Sequence, residues 1–210
     1  MIEILNYINN DNTLSKALSY IINTNQSNHN PYHNFNHLLN TAKYALRIGK
    51  SENLTEYEIR NLIIAALFHD VNHTGNLKNS DSMNIGLAIG KFAEFYNNNL
   101  VTIFTTVDID FILIVSLIQA TEYPYIEIDL TKLHLIIRDA DFSQIFENDF
   151  VHAIVLGLAK EQNVNIKKRV SDQISFTKVL VYNTEYCKLI WNELRDERIE
   201  EFSIIEKILK

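Results

Sequence analysis

The segment TEYEIRNLIIAALFHDV, residues 55–71, decides the fold. Thr55 and Glu58 have the spacing of a capping box, which predicts that a helix begins here. Apolar residues then recur at helical intervals and form one stripe, made of Ile59, Leu62, Ile63, Ala66 and Leu67. Similar patterns run through residues 36–48, 108–120, 131–146, 149–161 and 170 to about 195. The periodicity therefore favours a helical protein.

The scarcity of turn-forming residues supports the same fold class. The 210 residues include only five glycines and two prolines, whereas hairpins and sandwiches need many. We expect an all-α fold of roughly eight or nine helices in a compact globule, with residues 1–210 forming one domain. The asparagine-rich stretches NTNQSNHNPYHN, residues 23–34, and FYNNNL, residues 95–100, are predicted loops.

Composition narrows the class of protein. A net charge of −7 argues against a nucleic-acid binder, which normally has a basic surface, although a small anionic ligand is compatible with a bound metal. The single cysteine, Cys187, excludes an internal disulfide framework and a multi-thiolate metal site. No apolar run approaches the roughly 18 residues of a membrane span, and the N-terminus has no basic flank or cleavage site. We therefore expect a cytoplasmic protein that is not bound to membranes, of undetermined oligomeric state.

Histidine and aspartate residues cluster in three segments, at residues 33–37, 69–73 and 139–141. They contain the ionisable residues His33, His37, His69, Asp70, His73, Asp139 and Asp141. On a helix, His69 and His73 would share a face, with Asp70 one step around the turn. Burying such groups costs several kcal/mol unless they are paired, and a divalent cation would pair them. A lone histidine is more often hydrogen-bonded than a ligand, but the set together favours a metal site.

The order of these segments, His, then His-Asp, then Asp, resembles the HD superfamily of metal-dependent phosphohydrolases. The resemblance implies an all-helical hydrolase of phosphate esters, with His37, His69, Asp70 and Asp141 as the ligands of the first metal. Two aspartates could be the last ligand. Asp141 is preferred because the sequence ADF, residues 140–142, resembles the alanine-aspartate pair of the family, and Asp139 is the alternative. These nitrogen and oxygen donors suit Zn²⁺, Mn²⁺, Fe²⁺ or Mg²⁺.

Segments outside these ligands resemble one branch, the cyclic-nucleotide phosphodiesterases. YHNFNH is similar to that family's signature, which implies that His33 is the general acid and that Tyr32 contacts the substrate. LIQATE, ending at Glu122, resembles the stretch that lines the metal pocket. SDQISFTKVLVYNTEYCKLIW, residues 171–191, resembles the substrate helix, which implies that Gln173 and Phe176 recognise the base. This chain has Ser175 where the family has glycine, and its segments are more closely spaced.

The resemblance implies hydrolysis of a 3',5'-cyclic nucleotide at a centre of two divalent metals. Asp70 would bridge them, with His73 and Glu122 in or near the shell of the second metal. His33 would protonate the leaving oxygen, and we expect a carboxylate, Asp81 or Glu94, to orient it.

Two alternatives stay open at this point. One is another HD-type hydrolase, acting on nucleoside mono- or triphosphates or on an alarmone, in which Gln173 would be unimportant. The other is a nucleotide-binding or partner-binding module with a relict metal site.

Overall fold

The computed structural model describes residues 1–76, 79–100, 108–125 and 130–210, and these ranges contain ten α-helices and no β-strand. The prediction of an all-α fold is confirmed. Within the same ranges, no helix is long and apolar enough to cross a bilayer. The helices are α1 (Ile2–Asn9), α2 (Asn12–Thr24), α3 (Phe35–Ser51), α4 (Glu56–Phe68), α5 (Asp81–Phe95), α6 (Phe111–Gln119), α7 (Lys132–Asp141), α8 (Leu158–Glu161), α9 (Ile166–Val179) and α10 (Glu185–Ile208).

Helix α4 lies at the centre and packs against α2, α3, α5, α6 and α7. The predicted capping box is present, with Thr55 accepting from the backbone N–H of Glu58 and the Glu58 carboxylate accepting from that of Thr55. Every residue of the range 61–68 is buried, not only the predicted stripe. Because Ile64, Ala65 and Phe68, outside the stripe, are also apolar, the last two turns of α4 are buried on all sides, whereas Glu56 and Tyr57 in its first turn are exposed.

The chain leaves α4 in a tight turn that carries the central histidine-aspartate segment. Helix α4 ends at Phe68, so the expectation that His69 and His73 share a helical face is wrong. Asn72 adopts a left-handed conformation with φ of 64°, which asparagine tolerates better than most residues, and this turns the chain away from the helix axis. The buried side chain of Val71 fixes the turn to the core.

The first asparagine-rich loop is held to this turn by its own side chains. The Asn25 side-chain oxygen accepts from the backbone N–H of Asn72 at 2.9 Å, and the Asn72 side-chain oxygen accepts from that of Gln26 at 2.8 Å. The Asn30 amide donates to the carbonyl oxygen of His73 at 2.8 Å. A short 3₁₀ segment, Gln26–His29, lies within this loop. The asparagines therefore position the residues that lead into α3.

Two π-helical turns depart from the predicted pattern. Residues Tyr96–Leu100, predicted as a loop, continue α5 as a π-helical turn. A second π-helical turn, Val151–Gly157, leads directly into α8. Gly157 at its end lies against the loop before α3, because a Cβ atom there would be only 3.0 Å from the carbonyl oxygen of Pro31. Glycine thus permits the close approach of α8 to this loop.

The predicted periodic stretch from Val170 to about Arg195 is two helices, because α9 ends at Val179 and α10 begins at Glu185. Thr184 caps α10, accepting from the backbone N–H of Cys187. The buried carboxylate of Asp139 in α7 accepts hydrogen bonds of 2.7 to 3.0 Å from both the backbone and the side chains of Asn183 and Thr184. These bonds compensate the break in the helix and fix the α9–α10 junction on α7.

Substituting Asp139→Ala is expected to lower the free energy of unfolding by about 2 to 4 kcal/mol, because it leaves the Asn183 and Thr184 donors without their acceptor. Urea unfolding followed by circular dichroism measures the change. The control is Asp196→Ala, which removes an exposed carboxylate and should stay within about 0.5 kcal/mol of the wild type. Equal, small effects of the two substitutions would contradict this role of Asp139.

Candidate active site

The ends of three helices bring four predicted ligands together. His37 lies in the first turn of α3, where the side chain of Asn34 caps the helix. His69 and Asp70 directly follow α4, and Asp141 is the last residue of α7. Helix α3 packs against both α4 and α7, so the three ends converge. His37, His69 and Asp70 are buried and Asp141 is half-buried.

The facing atoms of this His-Asp cluster are evenly spaced. The Nε2 atoms of His37 and His69 are 3.1 Å apart. Asp70 Oδ2 lies 3.2 Å from the first Nε2 atom and 3.1 Å from the second, and Asp141 Oδ1 lies 3.2 Å from both. Neighbouring ligands of an octahedral ion with bonds of about 2.1 Å are about 3.0 Å apart. The four atoms therefore have the spacing of ligands around one divalent cation.

The hydrogen bond of His69 leaves its inner nitrogen free for a metal. Nδ1 of His69 donates to the carbonyl oxygen of Ala66 at 2.8 Å, so Nε2 presents a lone pair to the cluster in the neutral imidazole. Nδ1 of His37 is buried without a hydrogen-bond partner. Two neutral imidazoles and two carboxylates are a donor set that fits Zn²⁺, Mn²⁺ or Fe²⁺.

The charges of the cluster stabilise one another. Burial opposes protonation of His37 and His69, but the adjacent carboxylates outweigh it and raise the pKa of both imidazoles. Burial likewise opposes ionisation of Asp70 and Asp141, but the charge of His69 outweighs it and lowers both pKa values, that of Asp141 to about 2. The carboxylates are thus held ionised, as metal ligands must be.

His33 lies beside the cluster but outside the helix. It precedes α3, and its Nε2 atom is 3.9 Å from Asp70 Oδ2. On the other side of the ring, Nδ1 makes a short hydrogen bond with Glu161 Oε1. Glu161 Oε2 accepts from the backbone N–H groups of Tyr32 at 2.8 Å and His33 at 2.9 Å. One carboxylate therefore fixes both the ring and the backbone of this histidine.

The expectation that Asp81 or Glu94 orients His33 is wrong. The Asp81 carboxylate accepts from the backbone N–H of Tyr123, and that of Glu94 pairs with Lys91. The partner, Glu161, is 128 residues away from His33 in the chain and gives no local signal in the sequence. Hydrogen bonds with the His33 ring and with the backbone N–H groups of Tyr32 and His33 outweigh burial and lower the pKa of Glu161, so this carboxyl is ionised.

His73 packs on His33 and not in the His-Asp cluster. The two rings stack with centroids 3.7 Å apart and planes at 27°. Nδ1 of His73 accepts from the backbone N–H of Gly75, and Nε2 lies 3.0 Å from the amide nitrogen of Asn84. Burial lowers the pKa of His73 to about 4, so the ring is neutral. His33, His73 and Glu161 are close enough to share an ion, but the facing nitrogens are already used in hydrogen bonds, Nδ1 of His33 with Glu161 and Nδ1 of His73 with Gly75.

A cavity of about 620 Å³ opens next to the cluster. Its walls include His33, His69, Asp70, His73 and Asp141, together with the predicted substrate residues Tyr32, Gln173 and Phe176. The volume is within the range of ligand pockets in proteins, about 300 to 1,000 Å³. The structure thus brings the predicted metal, acid and substrate residues to one site.

Aromatic side chains form the wall around Phe176. Its ring centroid lies 5.4 Å from that of Phe142 and 6.4 Å from that of Tyr123, and both of these residues also line the cavity. Sequence reasoning missed both, although Phe142 directly follows Asp141. Tyr32 packs its ring 4.9 Å from the ring of His37 and 4.7 Å from that of His33.

Of the two residues predicted to lie in or near the shell of a second metal, His73 and Glu122, the structure does not bring Glu122 to the cavity wall. The residues on either side, Thr121 and Tyr123, line it, whereas Glu122 does not. The segment follows the end of α6, where helical spacing no longer determines which side chains point the same way. A place for Glu122 in the shell of a second metal therefore has no support from this geometry.

One comparison with known proteins bears on this site. Residues 32–102, about a third of the chain, match the family model described as 3'5'-cyclic nucleotide phosphodiesterase. The matched residues include His33, His37, His69, Asp70 and His73, but not Asp141, Glu161 or the residues of α9. The match confirms the resemblance predicted from the sequence and, with it, the prediction of a metal-dependent phosphohydrolase.

Metal should stabilise the protein through the cluster. After chelation, adding Mn²⁺ or Zn²⁺ at a hundredfold excess over the dissociation constant should contribute about 2.7 kcal/mol and raise the melting temperature by about 5 to 10 °C. His69→Ala should abolish this shift, because it removes one ligand from the cluster. The control His29→Ala, which removes an exposed histidine outside the cluster, should keep it.

The measurement is scanning fluorimetry with metal analysis of the dialysed protein. A wild-type protein that neither retains metal nor responds to it would contradict the assignment of the cluster.

Proposed function

We propose that residues 1–210 form one catalytic domain that hydrolyses a 3',5'-cyclic nucleotide to a nucleoside 5'-monophosphate. The observation that carries this proposal is the position of His33. Its Nε2 atom faces the His-Asp cluster and the cavity, while its Nδ1 atom is bound to an ionised carboxylate. A hydrolase of this family type needs a proton donor at that place, because the leaving sugar oxygen is a poor leaving group without a proton.

His37, His69, Asp70 and Asp141 would hold the first divalent ion, and Asp70, at the cavity wall, would also contact a second. Divalent ions at such a site supply positive charge for the phosphorus oxygens and make water more acidic. The number and identity of the ions are part of the proposal. His73 would take part indirectly, by packing on His33, and not as a ligand.

The proton path is defined by the chain itself. With Nδ1–H of His33 donating to Glu161, the proton that can be transferred is on Nε2, which faces the cavity. Glu161 holds the backbone at the same time, so the ring is fixed by one hydrogen bond of its own and the backbone that carries it by two more. Such general acid catalysis is typically worth about 10² to 10⁴ in rate.

Gln173 and Phe176 would recognise the base. They are three residues apart on α9, and both line the cavity, with the ring of Phe176 supported by Phe142. An aromatic ring can stack on a purine, while an amide offers both a donor and an acceptor to its edge. Ser175, which departs from the family pattern, is exposed and bonds to the Ser171 carbonyl oxygen, so the departure lies away from this surface.

Hydrolysis of cyclic AMP and cyclic GMP with Mn²⁺ or Mg²⁺, beside a panel of nucleoside mono- and triphosphates, tests the proposal directly. His33→Asn should lower kcat by about 10² to 10⁴ while the protein retains its metal. Glu161→Gln, which keeps an acceptor for the backbone but loses the charge, should lower kcat by about tenfold or more. His29→Asn is the matched control and should behave as the wild type.

The outcomes separate the candidate functions. Loss of bound metal in His33→Asn would show that His33 is a ligand. Activity only on nucleoside mono- or triphosphates would support the metal site but show that the substrate is not a cyclic nucleotide. No turnover of any of these compounds by a metal-loaded protein would favour a binding module.

Base recognition has its own test. Gln173→Ala should lower kcat/KM for purine cyclic nucleotides about tenfold relative to that for bis(4-nitrophenyl) phosphate, a diester without a base, because the amide hydrogen bonds are lost. Ser175→Ala, on the same helix but outside the cavity, is the control. An unchanged ratio in Gln173→Ala would show that the amide does not read the base.

A further inference from the structure

Arg169 is a basic residue of the cavity wall that the proposed reaction does not use. It lies in α9, and its Nη2 atom donates to the side-chain oxygen of Gln162, which also lines the cavity. Its Nε atom is buried and has no hydrogen-bond partner. In the described ranges no carboxylate pairs with Arg169, since the nearby Asp172 pairs with Lys168 at 3.5 Å.

This guanidinium is therefore only partly satisfied by the protein. A buried donor without a partner costs about 1 to 3 kcal/mol, and such groups in folded proteins usually have a functional reason. Arginine presents a planar set of N–H groups that matches the oxygens of a phosphate. The chemistry of the residue and its place in the cavity together point to an anionic group of the ligand.

Arg169 belongs to a different set of helices from the His-Asp cluster. The cluster lies at the ends of α3, α4 and α7, whereas Arg169 lies in the first turn of α9, which contributes its own part of the cavity wall. It is four residues before Gln173, on the same face of α9 and about 6 Å along the axis. Gln162, its partner, directly follows Glu161, which holds His33. Arg169 thus shares the α9 part of the cavity wall with Gln173 and Phe176, and its partner Gln162 is adjacent in sequence to the carboxylate that holds His33.

The charges around the cavity make this position distinctive. Among the described residues of the cavity wall, Asp70, Asp81, Asp141 and Asp172 contribute carboxylates, and the lysine and arginine residues are Lys168 and Arg169, both in the first turn of α9. These carboxylates would repel a second negative group of a ligand. Arg169, with support from Lys168, would attract it.

We infer that the cavity binds a dinucleotide, with one phosphodiester at the His-Asp cluster and the second phosphate at Arg169. This inference rests on the proposed function and names its substrate class. Water adds to the phosphorus of the first diester, the bond from phosphorus to the sugar O3' breaks, and His33 gives its proton to that oxygen. A cyclic dinucleotide would yield a linear dinucleotide with a 5'-phosphate.

The experiment compares kcat/KM for cyclic di-AMP, for the linear 5'-phosphorylated dinucleotide pApA and for cyclic AMP, which carries one phosphate. In Arg169→Gln, the ratio of kcat/KM for a dinucleotide to that for cyclic AMP should fall about tenfold or more, through a higher KM for the dinucleotide. Arg169→Lys should recover part of the ratio. Lys167→Gln removes the same charge from the same helix outside the cavity and should leave the ratio unchanged.

Equilibrium binding of the same ligands to His33→Asn, with Mn²⁺ present, tests the inference apart from turnover. A preference for a dinucleotide that depends on Arg169 would support the inference. This conclusion would hold even if cyclic AMP were not hydrolysed, because lack of that hydrolysis would contradict only the proposed activity on mononucleotides. An equal loss on all three ligands in Arg169→Gln would overturn the inference and show that Arg169 contacts the cleaved phosphate. If only one of the two dinucleotides shows this dependence on Arg169, the result would support the inference and show whether the ligand is cyclic, as in cyclic di-AMP, or linear, as in pApA.

Discussion

Burial of the last two turns of α4 on every side is the constraint on which the arrangement of the other helices depends. Turns without an exposed face must be surrounded, and α4 packs against α2, α3, α5, α6 and α7. Its C-terminal end is therefore also inside the protein, where His69 and Asp70 meet the ends of α3 and α7. The core thus determines where polar chemistry can occur, because a central helix has to end somewhere and its end needs compensating partners.

The ionisable groups of the site form two sets. The His-Asp cluster holds charges of opposite sign within hydrogen-bond distance and so keeps its carboxylates ionised in a buried place. The second set, around Glu161, joins a histidine ring, two backbone donors and a stacked neutral histidine. The sets meet through His33, whose Nε2 atom is 3.9 Å from Asp70 Oδ2, and through Tyr32, whose ring packs on that of His37.

Much of this could be predicted from the sequence, for physical reasons that differ by residue. His37, His69, Asp70 and Asp141 stand at the ends of strongly periodic segments, and helices with one core bring such ends together. Glu161 could not be found in the same way, since it follows a π-helical turn that interrupts the period of 3.6. The break between α9 and α10 was missed because apolar spacing continues across it, while Asp139, far away in sequence, holds the junction.

Misassignments near the site have a common origin. Asp81 and Glu94 are the carboxylates expected to orient His33, but they lie at opposite ends of α5 and pair with Tyr123 and Lys91 instead. Glu122 lies beyond the end of α6, where neither helical nor strand periodicity specifies which of three consecutive residues faces the cavity. Sequence spacing predicts orientation only while a regular element continues.

The number of residues in the π-helical turn Val151–Gly157 determines the direction in which the side chains of α8 point. Each residue of a helix advances the direction of its side chains by about 100°, so the loss of one residue in this turn would swing Glu161 away from His33. The His-Asp cluster belongs to other helices and would keep its form. The length of this segment therefore sets the orientation of His33 through Glu161, separately from the His-Asp cluster, and Gly157 contributes by letting the turn pack against Pro31.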